Sequence, residues 1–250
     1  MSSQDTSRQL KLEQALIYAK KLRLRIVSSS TLKKNTEYIM TTVGSEQSCR
    51  GVKDGFVYFG CKKNLHAAGK KQVVNDIVFP VDDKNLAEKH RGQHFCIFYD
   101  LLKDSYVIRD LSIGFGTFVK VSDMVVIRDN FLLFMGEHYL LFNLSLDETL
   151  LRIKLFGPPS NGKVYEYQSE DYVENCVKIG RGGFCDIIIE DSLASKVQCC
   201  INFNSRWVLV DGDGEKSSTN GVWLYLSEPF EIVHGMFFKA NHTVFQVTLF

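Results

Sequence analysis

The sequence predicts an all-β chain, two antiparallel β-sandwiches in tandem behind a short N-terminal helix. Three observations carry this expectation. Apolar runs are short and bounded by turn residues, as at Asp186 to Ile189, Cys199 to Phe203, Trp207 to Val210 and Phe245 to Leu249, a spacing that suits sandwich strands. The chain also resembles itself at a shift of about 101 to 110 residues, which marks a duplicated structural unit. Only Arg8 to Lys21 shows a helical period.

Taken in order, the helical segment places Leu12, Ala15, Leu16 and Ala19 at three- and four-residue steps, with Lys and Glu between them. Such a face packs on the chain's own first domain or its junction, or docks on another protein. RLRIVSS from Arg23 and LRIKLFGPPSNG from Leu151 both alternate as first strands before a turn. Asp76-Ile77 recurs as Asp186-Ile187, HFCI at His94 as QCCI at Gln198, and YVIRD at Tyr106 as WVLVD at Trp207. GFGTFV from Gly114 lies over TNGVWL from Thr219, and EHYLL from Glu137 over NHTVF from Asn241. Order and spacing are both kept. The expected organisation is an extension over 1–21, a sandwich over 22–143 and a second over 149–250. The junction from Ser145 to Glu148 is too short to be a free flexible linker.

Composition bounds the function. With 250 residues, of which 45% are hydrophobic and 24% charged, the chain can bury one large core or two of about 120 residues each, and the internal repeat favours two. A formal net charge of +1 gives no broad electrostatic footprint for nucleic acid or an anionic membrane, so any anion binding must be local. MSSQDTSRQLKLEQ lacks the apolar core of a signal peptide, and no run approaches the ~18 apolar residues of a membrane span. A cytoplasmic or nuclear protein without nucleic-acid or membrane partners is expected. Seven cysteines is an odd count without paired spacing, and Cys96, Cys199 and Cys200 sit in apolar runs, so buried free thiols fit better than disulfides or zinc. The sequons at Asn143 and Asn241 then carry no meaning. The six histidines are scattered without a neighbouring cluster of ligands, and no cofactor is expected.

The chemistry concentrates between Gly180 and Leu224. GRGGFCDIIIEDSLASK, a strand pair and DGDGEKSSTNGVWL place Arg181, then Ser195 with Lys196, then Thr219-Asn220-Gly221 on three successive turns between apolar strands. Turns that join neighbouring strands can meet at one edge of a sandwich. Arginine, lysine, two hydroxyls and an amide supply mainly donors and positive charge, which describes an anion receptor, and the arginine fork suits phosphate best. Each residue alone has a plainer reading: a solvated Gly-Arg corner, a serine capping its own backbone, an Asn-Gly hairpin. GRGGF has neither the spacing nor the lysine of a phosphate-binding P-loop, and no helix follows it. Asp211, Asp213 and Glu215 begin like a calcium loop, but Lys216 stands where that loop needs glycine and Val222 where it needs glutamate. No nucleophile elbow, His-Glu-x-x-His or spaced carboxylate pair is present, so the chain is not expected to be an enzyme.

The joint pattern Gly180-Arg181, Asp186-Ile187, Ser195-Lys196-Val197-Gln198, Asp211 and Ser218-Thr219-Asn220-Gly221-Val222 resembles the forkhead-associated (FHA) domain, a β-sandwich that binds phosphothreonine peptides. Gln198 stands where the family usually has histidine and Val222 where it usually has threonine, both in loop-supporting roles. The resemblance implies that Arg181 holds the phosphate oxygens, Ser195 donates its hydroxyl, Lys196 adds charge and Thr219 reaches the phosphate from the next loop. Asn220 would bond the ligand's main chain just after the phosphothreonine. Gly180 and Gly221 are expected to let their loops take positive φ.

The first half does not keep this chemistry. Cys61 follows Gly60 where the second half has Arg181, Arg91 stands for Ser195 and Phe115 for Asn220. Lys62, Lys63 and Arg91 leave some charge, but Cys61 and Phe115 supply neither a guanidinium fork nor an amide. A degenerate, phosphate-blind domain with a structural or partner-docking role is expected there. The chain thus reads as a signalling adaptor or scaffold for a phosphothreonine-containing protein. The alternative is a phospho-independent structural subunit of a larger assembly.

Overall fold

The computed structural model describes residues 3–67, 70–78, 92–122, 124–159 and 161–250; Arg91 lies outside them. The fold is all-β with one α-helix, Ser3–Ala15, and a 3₁₀ turn, Ser169–Tyr172, among the described residues. It divides into two compact units, Met1–Thr117 with Leu226–Phe250, and Phe118–Tyr225.

In the first unit one sheet has the strand order Gly44–Ser45, Glu37–Thr41, Leu22–Ser29, Thr243–Leu249, Phe237–Ala240. Its second sheet runs Phe230–Glu231, Ser105–Asp110, Gln93–Asp100, Phe56–Gly60, Ile77–Val78. In the second unit the larger sheet runs Lys163–Gln168, Leu150–Phe156, His138–Leu144, Phe131–Met135, Trp223–Tyr225, and then the strand Thr117–Lys120. The smaller one runs Val125–Val126, Arg206–Asp211, Cys199–Asn204, Val177–Gly180, Ile187–Ile188. The smaller sheets of the two units share one plan. Each ends in a parallel pair, with Phe59 opposite Ile77 in one and Ile179 opposite Ile187 in the other.

Alternation explains the strands. Leu22–Ser29 buries Leu22, Leu24 and Ile26 and exposes Arg25, while Leu150–Phe156 buries Leu151, Ile153 and Leu155 and turns Arg152 and Lys154 outward. In the first unit Phe59 stacks on Phe95 with centroids 4.4 Å apart, and both meet Phe245 edge-on at 6.1 Å. In the second unit Trp207, Phe142, Leu151, Ile153, Ile179 and Ile201 form one fully buried cluster. Each such side chain contributes about 1.5–3 kcal/mol by leaving water. Cys96, Cys199 and Cys200 belong to these interiors.

The compact units differ from the sequence halves 22–143 and 149–250. The hairpin of Phe131–Met135 and His138–Leu144 belongs to the second unit, where Asn143 pairs with Arg152 and Leu144 with Leu151. The C-terminal hairpin of Phe237–Ala240 and Thr243–Leu249 belongs to the first, where Leu249 pairs with Leu22 and Val247 with Leu24. Each half of the sequence therefore gives its last hairpin to the unit built around the other half. Ser145 to Glu148 is accordingly a hairpin turn: Ser145 N–H donates to Leu150 O at 3.0 Å, and Glu148 takes φ 58°. Self-similarity identifies equivalent strands, but strands of equal alternation are equally good partners, and sequence alone does not say which copy each one joins.

The helix is also shorter than the expected Arg8 to Lys21. It ends at Ala15; Leu12 and Ala15 are buried, whereas Leu16 is exposed. After Ala15 the turn tightens to bonds from Leu16 N–H to Glu13 O and from Tyr18 N–H to Ala15 O, and Lys21 N–H already donates to Phe250 O at 2.9 Å. That commitment to a strand stops the helix. Thr42 Oγ1 donates to Leu12 O at 2.7 Å, Arg8 donates to Asp54 O at 2.6 Å, and the Arg8 guanidinium lies over the Phe56 ring. The helix thus docks on its own unit. No helix among the described residues is long and apolar enough to cross a membrane.

Candidate functional site

Three turns of the second unit are bound into one surface by their own backbone. Arg181 N–H donates to Ser195 O at 3.0 Å, Gly182 N–H to Lys196 O at 3.0 Å, and Gln198 N–H to Ile179 O at 2.7 Å, so the first and second turns are zipped together. Gly180 makes this possible by its size. A Cβ there would stand 2.4 Å from Lys196 O and 2.9 Å from Gln198 N, and its φ is not positive, so the expected positive φ is replaced by close backbone approach. Asp186 closes the first turn by accepting Lys178 N–H at 2.7 Å on its carboxylate. Asp76 does the same for Tyr58 N–H at 2.8 Å in the first unit.

The third turn joins through side chains. Ser195 Oγ accepts Thr219 N–H at 2.9 Å and lies 3.3 Å from Thr219 Oγ1, and Asn220 Nδ2 donates to Leu193 O at 2.8 Å. Beneath them Gln198 is fully buried. Its Oε1 accepts Ser195 N–H at 2.8 Å, while its Nε2 donates to Ser218 Oγ at 2.8 Å and Gly221 O at 2.9 Å. Ser218 Oγ in turn donates to Asp211 Oδ1 at 2.6 Å. Burial pushes the Asp211 carboxyl above its ordinary range, opposed by the hydrogen bonds from Ser218 and by the charge of Lys120. Gly221 takes φ 74°, the left-handed region open to glycine.

Above this frame the surface is cationic and donor-rich. Arg181 and Lys196 are exposed, and among the described residues their charged heads make no hydrogen bond or ion pair. The Ser195 and Thr219 hydroxyls sit together at the meeting of the second and third turns. Phe184 and Leu193 are 64% and 53% exposed at the rim. Two uncommitted cations beside a hydroxyl pair can hold a tetrahedral anion with charge-assisted bonds. The structure therefore brings Arg181, Ser195, Lys196, Thr219 and Asn220 onto adjoining turns, with Gln198 and Gly221 beneath.

Sequence reasoning missed the buried Ser218 hydroxyl as a link between Asp211 and Gln198. It also missed Lys120, whose stem crosses Gly221 so closely that a Cβ there would lie 2.3 Å from Lys120 Cε. No local signal announces Lys120, which comes from a strand distant in sequence.

The matching turns of the first unit have other chemistry. A Cβ on Gly60 would lie 2.0 Å from Gly92 O, and Cys61 N–H donates to Gly92 O at 2.9 Å, which repeats the zipping around Gly180. Leu111 N–H donates to His94 O at 2.8 Å as Gly212 N–H donates to Gln198 O at 2.9 Å, so His94 occupies the place of Gln198. His94 Nδ1 lies 2.6 Å from Asn241 Nδ2, and Asn241 Oδ1 accepts Phe115 N–H at 3.1 Å. Burial pushes the His94 imidazole down to about 4. Burial also pushes the Cys61 thiol up, and Phe115 is 51% exposed.

Residues 177–238 match the family model of the FHA domain, and this segment contains all three turns. The FHA domain is a protein-interaction module that binds phosphothreonine-containing proteins, not a catalytic domain. No curated protein and no solved structure matches the chain.

Proposed function

We propose that this protein is a phosphothreonine-reading adaptor that engages its partner through the three turns carrying Arg181, Ser195 and Thr219. The observation that carries this reading is the pair of uncommitted cations, Arg181 and Lys196, beside the hydroxyl pair of Ser195 and Thr219. Arg181 holds the phosphate oxygens with its fork, Ser195 and Thr219 donate hydroxyls, and Lys196 adds charge without directional demand. Asn220 faces the ligand's main chain after the phosphothreonine. The first half, with Cys61 and Phe115 at the matching turns, serves as scaffold or docking surface and does not read phosphate. The protein works in the cytoplasm or nucleus and within a multiprotein assembly.

One observation favours a packing subunit indifferent to phosphate: Asn220 already spends an amide N–H on Leu193 O at 2.8 Å. A single experiment separates the readings. A peptide library presented in threonine, phosphothreonine and phosphoserine forms is titrated against the full chain. The adaptor binds the phosphothreonine form preferentially, whereas the packing subunit binds all three forms alike or none.

A further inference from the structure

We propose that the groove between the N-terminal helix and the turn at Leu101 and Leu102 docks an acidic amphipathic helix of a partner protein. None of its residues belongs to the three turns, so the inference stands apart from the phosphopeptide reading and adds a second interaction surface.

Shape comes first. Ser7, Lys11, Gln14 and Tyr18 recur at steps of four, three and four, which lays them in one stripe along the helix Ser3–Ala15 and the turn that ends it. Leu101 and Leu102, in the turn between Gln93–Asp100 and Ser105–Asp110, form the facing wall of a groove of about 570 Å³. From Ser7 to Tyr18 the stripe runs roughly 16 Å, the length of about three helical turns. Leu12 and Ala15 take the other side of the helix into the core, so the stripe is not spent on the chain's own packing.

Exposure comes second. Leu102 is 97% exposed and Tyr18 65%. A turn tip ordinarily offers water a polar residue or glycine, and an apolar wall left open beside a groove marks a surface that a partner covers.

Charge and backbone bonding choose the occupant. Among the described residues Lys11 makes no hydrogen bond or ion pair, and Arg8 meets the Asp54 carbonyl and the Phe56 ring instead of a carboxylate. The acids of the facing turn are occupied: Asp100 Oδ1 accepts Leu102 N–H at 2.9 Å, and Asp104 Oδ1 accepts the Tyr99 hydroxyl at 2.5 Å. A neighbouring hollow that shares Tyr18 carries Lys20 beside Asp104 and Glu231, so the excess positive charge belongs to the groove alone. Apolar walls with a cationic rim complement leucine-type anchors flanked by Asp or Glu. The two strands that flank the turn are each paired on both sides in their sheet, so an extended ligand finds no strand edge to bond. A helix satisfies its own backbone and needs only side-chain contacts.

The test titrates the full chain with synthetic peptides of about four helical turns, with leucine at i, i+3, i+4 and i+7 and glutamate on the remaining face. Matched peptides replace glutamate by lysine, scramble the leucines, or carry a central proline. The acidic amphipathic peptide should bind saturably and each matched peptide about tenfold more weakly or worse. Leu102→Ser should weaken it by about tenfold, the burial of one leucine. Lys11→Glu should weaken it by about three- to tenfold and strengthen binding of the lysine peptide. Both positions are exposed, so melting temperature and phosphothreonine-peptide affinity should not change. Absence of saturable binding, equal binding of the lysine or proline peptide, or unchanged affinity in Leu102→Ser overturns the proposal. Self-association of the chain that Leu102→Ser abolishes assigns the groove to a second copy and overturns it too. A chain that binds the acidic helix but ignores phosphate upholds this inference and overturns the phosphopeptide reading alone.

Discussion

Ser195 Oγ accepts the backbone N–H of Thr219 at 2.9 Å while its hydroxyl faces Thr219 Oγ1 at 3.3 Å, so one side chain both ties two turns and presents a donor between them. Removing it should cost function more than stability. In Ser195→Ala, phosphothreonine-peptide affinity should fall about tenfold to a hundredfold, the worth of a hydrogen bond to a charged group, while the neutral bond to Thr219 accounts for about 0.5–1.5 kcal/mol of stability. Titration and melting of the same sample give both numbers. A large stability loss with unchanged affinity would make Ser195 a structural residue only.

Arg181 supports nothing in the fold, since its side chain is exposed and has no partner among the described residues. Arg181→Ala should therefore leave the melting temperature unchanged and lower phosphopeptide affinity on the order of a hundredfold, because a bidentate fork makes two charge-assisted bonds of roughly 1.5–3 kcal/mol each and part of that charge remains on Lys196. Equal dissociation constants for the two proteins would remove Arg181 from the site.

Gly180 and Gly183 separate close approach from turn flexibility. A Cβ on Gly180 meets backbone at 2.4 Å, whereas one on Gly183 meets nothing within 4 Å, and neither residue has positive φ. Gly180→Ala should destabilise the chain by about 1–3 kcal/mol through forced backbone displacement. Gly183→Ala should be neutral or stabilise by about 0.4–1 kcal/mol by restricting the unfolded chain. Denaturant titration of both variants checks the contrast. Equal effects would mean that the turns are not zipped as described.

The strands and the three turns were legible because they depend on local order. Alternation in Leu22–Ser29 and Leu150–Phe156 fixes which faces are buried, and the spacing of Arg181, Ser195 and Thr219 puts them on successive turns. What local order does not carry is partnership over distance. Leu144 pairing with Leu151, and Leu249 with Leu22, follow from which copy of a repeated hairpin closes which sheet. Lys120 and Ser218 matter for the same reason: their roles come from what the folded chain lays beside them.

The placement of the hairpins makes fragments informative. A fragment beginning at Thr149 loses Leu133, Met135, Leu140 and Phe142 from the second core and uncovers Leu151, Ile153 and Leu155, a loss of several residues worth about 1.5–3 kcal/mol each. A fragment of residues 118–225 keeps them all. The fragment 118–225 should melt cooperatively and retain phosphothreonine preference, while residues 149–250 should aggregate or lack a cooperative transition. Cooperative folding of 149–250 alone would show that the sandwich closes without the hairpin of Phe131–Met135 and His138–Leu144.

His94 gives the first unit a pH dependence of known sign. Buried at the place of Gln198, it titrates at about 4 instead of 6.5, so between these values the unfolded chain binds a proton that the folded chain refuses. Stability from this residue is therefore complete above about pH 6.5 and drains as pH falls towards 4, by at most about 3 kcal/mol at 1.36 kcal/mol per pH unit. Glutamine does not titrate, and at position 198 it carries the loop bonds to Ser218 and Gly221. His94→Gln should flatten this part of the pH profile even if it lowers stability at neutral pH through loss of the Asn241 contact. Denaturant titrations of both proteins at pH 7, 6 and 5 read the slope directly, and identical slopes would show that His94 is already protonated in the folded chain or is not the group responsible.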